Sequence, residues 1–277
     1  MAAHFMNSSD LLVVFGASFS GHTGINPAIP TIQIDFDPIT LGKFHPVMVP
    51  LYGEIGTTAR LLLAGLGDSG GDWEDQRSEV ASKRVEWRSE KSRREQLDGG
   101  KGMSSASVFE SMSRLLPEDA VVAVDVGNNT YSFGRYFECQ AQSVLMSGYL
   151  GSIGFGFPAA MGAWAADTGR KVVSISGDGG FGQYLAEFTT AVKYGMDITH
   201  VLLHNGELGK ISKEQRDGEW KVWQTSLHNP SFADYARICG GEGIRVERAE
   251  ELAEAFKAAL STKGPALVEV MTDPLLT

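Results

Sequence analysis

A chain of 277 residues, 43% hydrophobic and 21% charged, can hold one large or two ordinary domains with a full apolar core. Its formal net charge of -10 argues against a nucleic-acid partner and against an anionic membrane surface, and no apolar run is long enough to span a bilayer. Cys139 and Cys239 form neither a disulfide framework nor a metal-ligand spacing, and "MAAHFMNSSD" has no basic region ahead of its first apolar run, so the expected compartment is the cytoplasm.

Three parts follow in chain order. Residues 1–66 carry the strand-like runs "LLVVFGASF" and "TIQIDFDP", then "VMVPLYGEIG" and a short helix over Thr57–Leu66. Residues 67–102 are charge-dense, poor in aliphatic side chains and bounded by glycines, which reads as a solvated linker with a polar helix between Trp73 and Leu97. Residues 103–277 alternate. Strands are predicted at Val121–Val126, Val144–Ser147, Lys171–Ser176, Ile198–Leu203, Gly243–Glu247 and Ala266–Met271. Helices are predicted at Ser105–Leu116, Ile153–Ala166, Phe181–Tyr194, Ser231–Cys239 and Ala249–Leu260. Such alternation defines an α/β fold built on a doubly wound parallel sheet.

Open α/β sheets bind ligands at the carboxyl ends of their strands. One strand runs into Gly177-Asp178-Gly179-Gly180, and after 24 intervening residues following Gly179 a second ends at His204-Asn205. Parallel pairing would bring both ends to one edge, where an anionic Asp178 oxygen and a neutral Asn205 oxygen suit a hard divalent cation. The glycines let backbone amides approach an anion at the next helix N-terminus, so the implied ligand is a magnesium–diphosphate. A hairpin turn is the competing reading of "GDGG" alone. Another strand ends in "VDVGNN", where Gly127 opens the backbone and Asn128 and Asn129 offer amide donors to a phosphate; an Asn-rich turn capping the strand is equally compatible.

Gly-Asp-Gly, a spacer of this length and an Asn at a strand end resemble the thiamine-diphosphate motif of the 2-oxo acid decarboxylase and carboligase superfamily. The resemblance implies a thiamine-diphosphate-binding fold, here its diphosphate domain. Asp178, Asn205 and the backbone carbonyl of Glu207 would be the magnesium ligands, with Leu208 and Gly209 beside them at the cofactor. The usual Asn-Asn pair is His204-Asn205 here, which departs at the first position only; for His204 itself, strand-end packing is favoured over contact with the diphosphate. Val126, Gly127, Asn128 and Asn129 match a segment that touches the diphosphate. "SGYLGSIGFGFP" matches the segment that holds the aminopyrimidine: the Gly151 carbonyl accepts from its amino group, the Ile153 amide donates to a ring nitrogen with Ser152 between them, and the Ile153 side chain wedges beneath the cofactor. After Asn205 the chain resembles the pyruvate oxidase branch, and acetolactate synthases match nearly as well elsewhere. Glu214 matches an acidic residue facing the substrate intermediate, with a solvated surface glutamate as the equal alternative. His22, His45, His200 and His228 receive no role.

Residues 1–66 resemble the second half of the family's Rossmann-like central domain, which in flavin-containing members contacts FAD through "GASF" and "IDFDP". The first half and the pyrimidine-binding domain have no counterpart, and Glu54 is not the glutamate that protonates the aminopyrimidine. The expected function is therefore the thiamine-diphosphate- and magnesium-binding portion of an enzyme that decarboxylates a 2-oxo acid such as pyruvate. It would work as a homo-oligomer or with a partner chain carrying the pyrimidine domain, and an apolar surface around Tyr149, Ile153, Phe155 and Phe157 would be left for that partner. A non-catalytic cofactor-binding subunit, a truncated fragment and a generic phosphate-binding α/β protein remain the alternatives.

Overall fold

A computed structural model describes residues 2–17, 19, 23–67, 74–148 and 150–276; Ser18, His22, Trp73 and Tyr149 lie outside the described residues. The chain divides into two compact units, Met1–Arg88 and Ser89–Thr277. The first begins with helix α1 (Ala2–Ser8) and holds strands β1 (Leu12–Phe15), β2 (Thr31–Asp35) and β3 (Val49–Tyr52), followed by helix α2 (Ile55–Leu66). All three strands are parallel with β2 in the centre. Ile34 is fully buried there, whereas α2 buries none of its residues. Glu54 caps α2: hydrogen bonds from Thr57 and then Gly56 hold its carboxyl down at about 2, a local structural task. Helix α3 (Arg77–Glu95) carries the charged stretch. Its last turns belong to the second unit, where buried Lys91 pairs with Glu110 and, at 2.9 Å, with Glu138.

The second unit continues with α4 (Ser105–Leu115), β4 (Val121–Val124), α5 (Asn128–Tyr136), β5 (Ser143–Met146), α6 (Gly156–Ala166), β6 (Val172–Gly177), α7 (Asp178–Gly182), α8 (Glu187–Lys193), β7 (Ile198–His204), α9 (Gly209–Asp217), α10 (Phe232–Ile238), β8 (Glu242–Val246), α11 (Leu252–Ser261) and β9 (Ala266–Met271). Its six strands form one parallel sheet in the order β5-β4-β6-β7-β9-β8. Parallel strands need crossover helices, and these cover both faces, which is why the central strands β6 and β7 read as almost unbroken apolar runs. One face packs Phe109, Phe133 and Phe256 of α4, α5 and α11 onto the sheet, and the other packs Phe157, Phe181, Phe188 and Phe232. This is the doubly wound α/β architecture. Among the described residues no helix is long and apolar enough to cross a membrane.

Two predicted helices are corrected. The span Phe181–Tyr194 is two helices, because Gly179, Gly180 and Gly182 weaken helical propagation and Gln183, Tyr184, Glu187, Phe188 and Thr189 bond three residues back instead of four. Phe181 and Phe188 still reach the same core. The predicted helix over Ile153–Ala166 starts only at Gly156, since Gly151 and Gly154 adopt φ of +63° and +91°. Phe157, expected on an exposed apolar surface, is buried: its ring packs against Phe181, Phe188 and His200.

His200 sits fully buried in this aromatic layer, its Nε2 3.1 Å from Ser176 Oγ and its Nδ1 unpaired. Burial pushes its pKa from 6.5 down to about 3, so the folded chain keeps it neutral. Unfolded chain takes up this proton below about pH 6.5 while folded chain does not, so acid favours unfolding until about pH 3. The wild type should lose roughly 1.4 kcal/mol per pH unit in that window beyond any loss in His200→Leu. Urea melts of both at pH 7 and pH 5 check this; parallel losses would show that His200 does not titrate as described.

Candidate cofactor-binding site

After β4 the chain steps to β5 on one side of the sheet, then returns to β6 on the other. The crevice at such a reversal, outside the strand carboxyl ends, is where α/β sheets bind ligands. A cavity of about 390 Å³ opens there, lined by residues following β4, β5, β6, β7 and β9. It brings together Val126, Gly127, Asn128 and Asn129 after β4, Gly151 and Ile153 after β5, Gly177, Asp178, Gly179 and Gly180 after β6, and Asn205, Glu207, Leu208 and Gly209 after β7. Ser152 and Glu214 are not in the lining. The Ser152 amide bonds Ser147 Oγ at 3.1 Å, and Glu214 forms an exposed pair with Lys210 on α9, 2.9 Å away.

The walls are built for close backbone approach. Gly127 has φ +133°, beyond easy reach of a side-chain-bearing residue, and it leads straight into α5. A Cβ at Gly209 would meet Asn128 Nδ2 at 2.8 Å, and one at Gly179 would meet Leu208 Cδ2 at 2.6 Å. Asn128 and Asn129 thus belong to the first turn of a helix and not to a strand-capping loop. Asn129 Nδ2 donates to the Asp125 carbonyl at 2.6 Å, whereas Asn128 Nδ2 is buried without a partner at the cavity wall. An orphaned donor at a helix N-terminus suits an anionic oxygen.

Asp125 ties two of these walls together. Its Oδ1 accepts from the amides of Val126 at 2.7 Å, Gly154 at 2.8 Å and Phe155 at 3.1 Å. Burial raises its pKa, opposed by these amides. Gly180 is required beside it, since a Cβ there would come within 2.3 Å of Asp125 Oδ2. The segment carrying Gly151 and Ile153 is therefore fixed to the segment carrying Val126 and Gly127, with Ile153 38% exposed at the cavity edge.

Asp178 is 2% exposed. Its Oδ2 accepts from the Gly206 amide and from Asn229 Nδ2, both at 2.7 Å, and its Oδ1 from the Gly179 amide at 3.0 Å. Burial raises its pKa, and these hydrogen-bond donors oppose the rise. The Gly206 bond pulls the turn after β7 onto the turn after β6, so Asp178 and Asn205 line one cavity. Because β6 and β7 are parallel neighbours, "GDGG" is a strand-to-helix turn and not a hairpin. Asn205 Oδ1 accepts from the Glu207 amide at 3.0 Å and keeps a second lone pair. His204 packs at the strand end, its Nδ1 2.7 Å from Glu269 Oε1 and its Nε2 3.1 Å from Asn229 Nδ2. Asn229 and Asp125 carry no role in the sequence expectation. "VDVGNN" and "LHNPSF" contain them, but only long-range contacts single them out.

The C-terminal TPP binding domain of thiamine pyrophosphate enzymes matches residues 125–270, a span that contains every strand end lining the cavity except the segment after β9. The chain belongs to this family of thiamine pyrophosphate enzymes. It is 33% identical to YdaP of Bacillus subtilis, named as a thiamine pyrophosphate-containing protein, over 96% of this chain and 46% of that one. It is 29% identical to the large subunit of acetolactate synthase isozyme 2 of Escherichia coli, over 99% of this chain and 50% of that one. Sulfoacetaldehyde acetyltransferase of Rhodobacter capsulatus is 27% identical over 95% of this chain and 49% of its own. The chain thus spans about half the length of the curated relatives it matches.

Proposed function

We propose that the cavity holds the diphosphate of thiamine diphosphate with magnesium, as part of an enzyme that decarboxylates a 2-oxo acid such as pyruvate. The observation that carries this reading is the convergence of the Asp178 carboxylate, the Asn205 amide and the unpartnered Asn128 donor on one crevice. One anionic and one neutral oxygen, joined by the Glu207 carbonyl, fit magnesium, which keeps part of its shell for phosphate oxygens. Asn128, Gly127 and the amides around Gly179 and Gly180 would face the diphosphate, with Val126, Asn129, Gly177, Leu208 and Gly209 shaping the walls. Gly151 would present its carbonyl to the aminopyrimidine. Ile153 would sit beneath the cofactor and hold its two rings bent together, replacing base strength with proximity. Bound thiamine diphosphate supplies a thiazolium that accepts the electron pair left when carbon dioxide departs.

Glu214, one turn along α9 from the lining residue Lys210, is proposed to face the substrate once a homo-oligomeric neighbour or a partner chain closes the cleft. In the first unit, Asp35 and Asp37 accept from the amides of Asp37 and Ile39, which orders the "IDFDP" loop proposed to contact FAD in flavin-containing assemblies. A reducing, cytoplasmic setting is proposed, in which Cys139 and Cys239 remain thiols.

Thermal unfolding tests the reading. Magnesium with thiamine diphosphate at about 100 times its dissociation constant should stabilise the fold by about 2.7 kcal/mol, a rise of roughly 5–10 °C. A rise with magnesium ATP and none with magnesium thiamine diphosphate would assign the crevice to generic nucleotide binding instead.

A further inference from the structure

A chain of polar groups, Glu269, His204 and Asn229, ends on Asp178. Glu269 is fully buried on β9. Its Oε2 accepts from the Ala233 amide at 3.0 Å, and Oε1 faces His204 Nδ1 at 2.7 Å and an Arg245 guanidinium nitrogen at 3.3 Å. Burial alone would raise its pKa, but the hydrogen bonds from His204 and the Ala233 amide outweigh it and keep the group ionised. An ionised Glu269 is acceptor-only, so His204 Nδ1 carries the hydrogen between them.

The far end of the imidazole follows from that. Asn229 Nδ2 lies 2.7 Å from Asp178 Oδ2 and 3.1 Å from His204 Nε2. An amide nitrogen only donates, and it has two hydrogens. One goes to the Asp178 carboxylate and the other to Nε2, which accepts with its lone pair. The reversed amide would set Asn229 Oδ1 against Asp178 Oδ2 at hydrogen-bond distance with no proton between them. The orientation of Asn229 is thus dictated at both ends.

We infer that Asn229, oriented by His204 and through it by Glu269, is a positioning residue for Asp178: it occupies Oδ2 together with the Gly206 amide and leaves Oδ1, which accepts only the Gly179 amide, with a lone pair for the cation. The inference rests on the magnesium role proposed for Asp178. It also gives His204 a task, since its Nε2 fixes the rotation of the Asn229 amide. Hydrogen-bond partners of metal-binding carboxylates govern affinity through orientation, and losing one costs about 10–100-fold.

The test uses the full chain, magnesium chloride and thiamine diphosphate, and reads the magnesium concentration at half-maximal cofactor retention. Asn229→Leu keeps the shape and removes the donor; it should raise that concentration about 10–100-fold. His204→Phe keeps a ring against Phe232 and removes both nitrogens, and should raise it as well. In the double variant the two effects should not add, because both act through one amide. A merely structural weakening would lower the melting temperature of the ligand-free chain without producing this coupled magnesium dependence. If Asn229→Leu does not fold, Asn229→Ala, which only removes atoms, carries the same expectation. Wild-type magnesium dependence in the Asn229 variant, or full additivity with His204→Phe, overturns the inference while loss of retention in Asp178→Ala leaves the metal role standing. Wild-type behaviour of Asp178→Ala overturns both.

Discussion

Asp178→Ala should abolish magnesium-dependent retention of thiamine diphosphate. The side chain is the one anionic group among the proposed ligands, and it lies 2% exposed at the end of β6, where water screens little. Removing one partner of a buried charge pair costs about 3–5 kcal/mol, or roughly 10²–10⁴ in affinity. The diphosphate would then be held under-neutralised beside Asn128 and the backbone amides. Folding should change far less, because the substitution also removes a carboxylate that burial disfavours, and Phe181 still anchors the following turn. Calorimetric titration with and without magnesium, alongside circular dichroism, separates the two effects. Unchanged cofactor affinity in a folded Asp178→Ala chain would remove Asp178 from the metal site.

Phe181→Ala should be the most damaging single truncation near the site. Phe181 is 1% exposed, three residues after Asp178, with its ring centroid 4.3 Å from that of His200, 5.4 Å from Phe157 and 5.9 Å from Phe232. Removing a buried phenyl ring costs about 3–5 kcal/mol, the transfer term plus the cavity left behind. For a unit of this size the melting temperature should fall by roughly 6–20 °C. The short α7 would lose the contact that seats the Gly-Asp-Gly turn over the sheet, so cofactor retention should weaken even where the chain stays folded. A fall of less than about 1 kcal/mol in urea unfolding would mean that the aromatic layer closes over the gap and that the turn does not depend on it.

How much was legible beforehand follows from what is local. The central strands of the second unit show as apolar runs because parallel strands are covered on both faces, and the ends of β4, β5, β6 and β7 each announce themselves by a nearby glycine. Asp178 and Asn205 could be paired from sequence because parallel neighbours end at one edge. Helix α5 was not visible: "NNTYSFGRY" contains a glycine and little intrinsic helix propensity. It forms because Phe133 and Tyr136 are buried and the Asn129 and Thr130 side chains bond the Asp125 carbonyl. Phe157 was misplaced because the glycines before it delay the helix start and turn its ring into the aromatic layer. Asn229 was out of reach for another reason. It touches a residue 51 positions earlier, and no periodicity or turn chemistry encodes such a contact.

The most direct measurement is a crystal structure of the chain, in whatever assembly retains the cofactor, grown with thiamine diphosphate and manganese in place of magnesium. The anomalous signal should give one metal peak in the cavity, bonded to Asp178 Oδ1, Asn205 Oδ1 and the Glu207 carbonyl, with diphosphate oxygens completing the shell and Asn128 Nδ2 donating to one of them. A diphosphate seated away from the β4, β6 and β7 ends, or a metal bound without Asp178, would contradict the account.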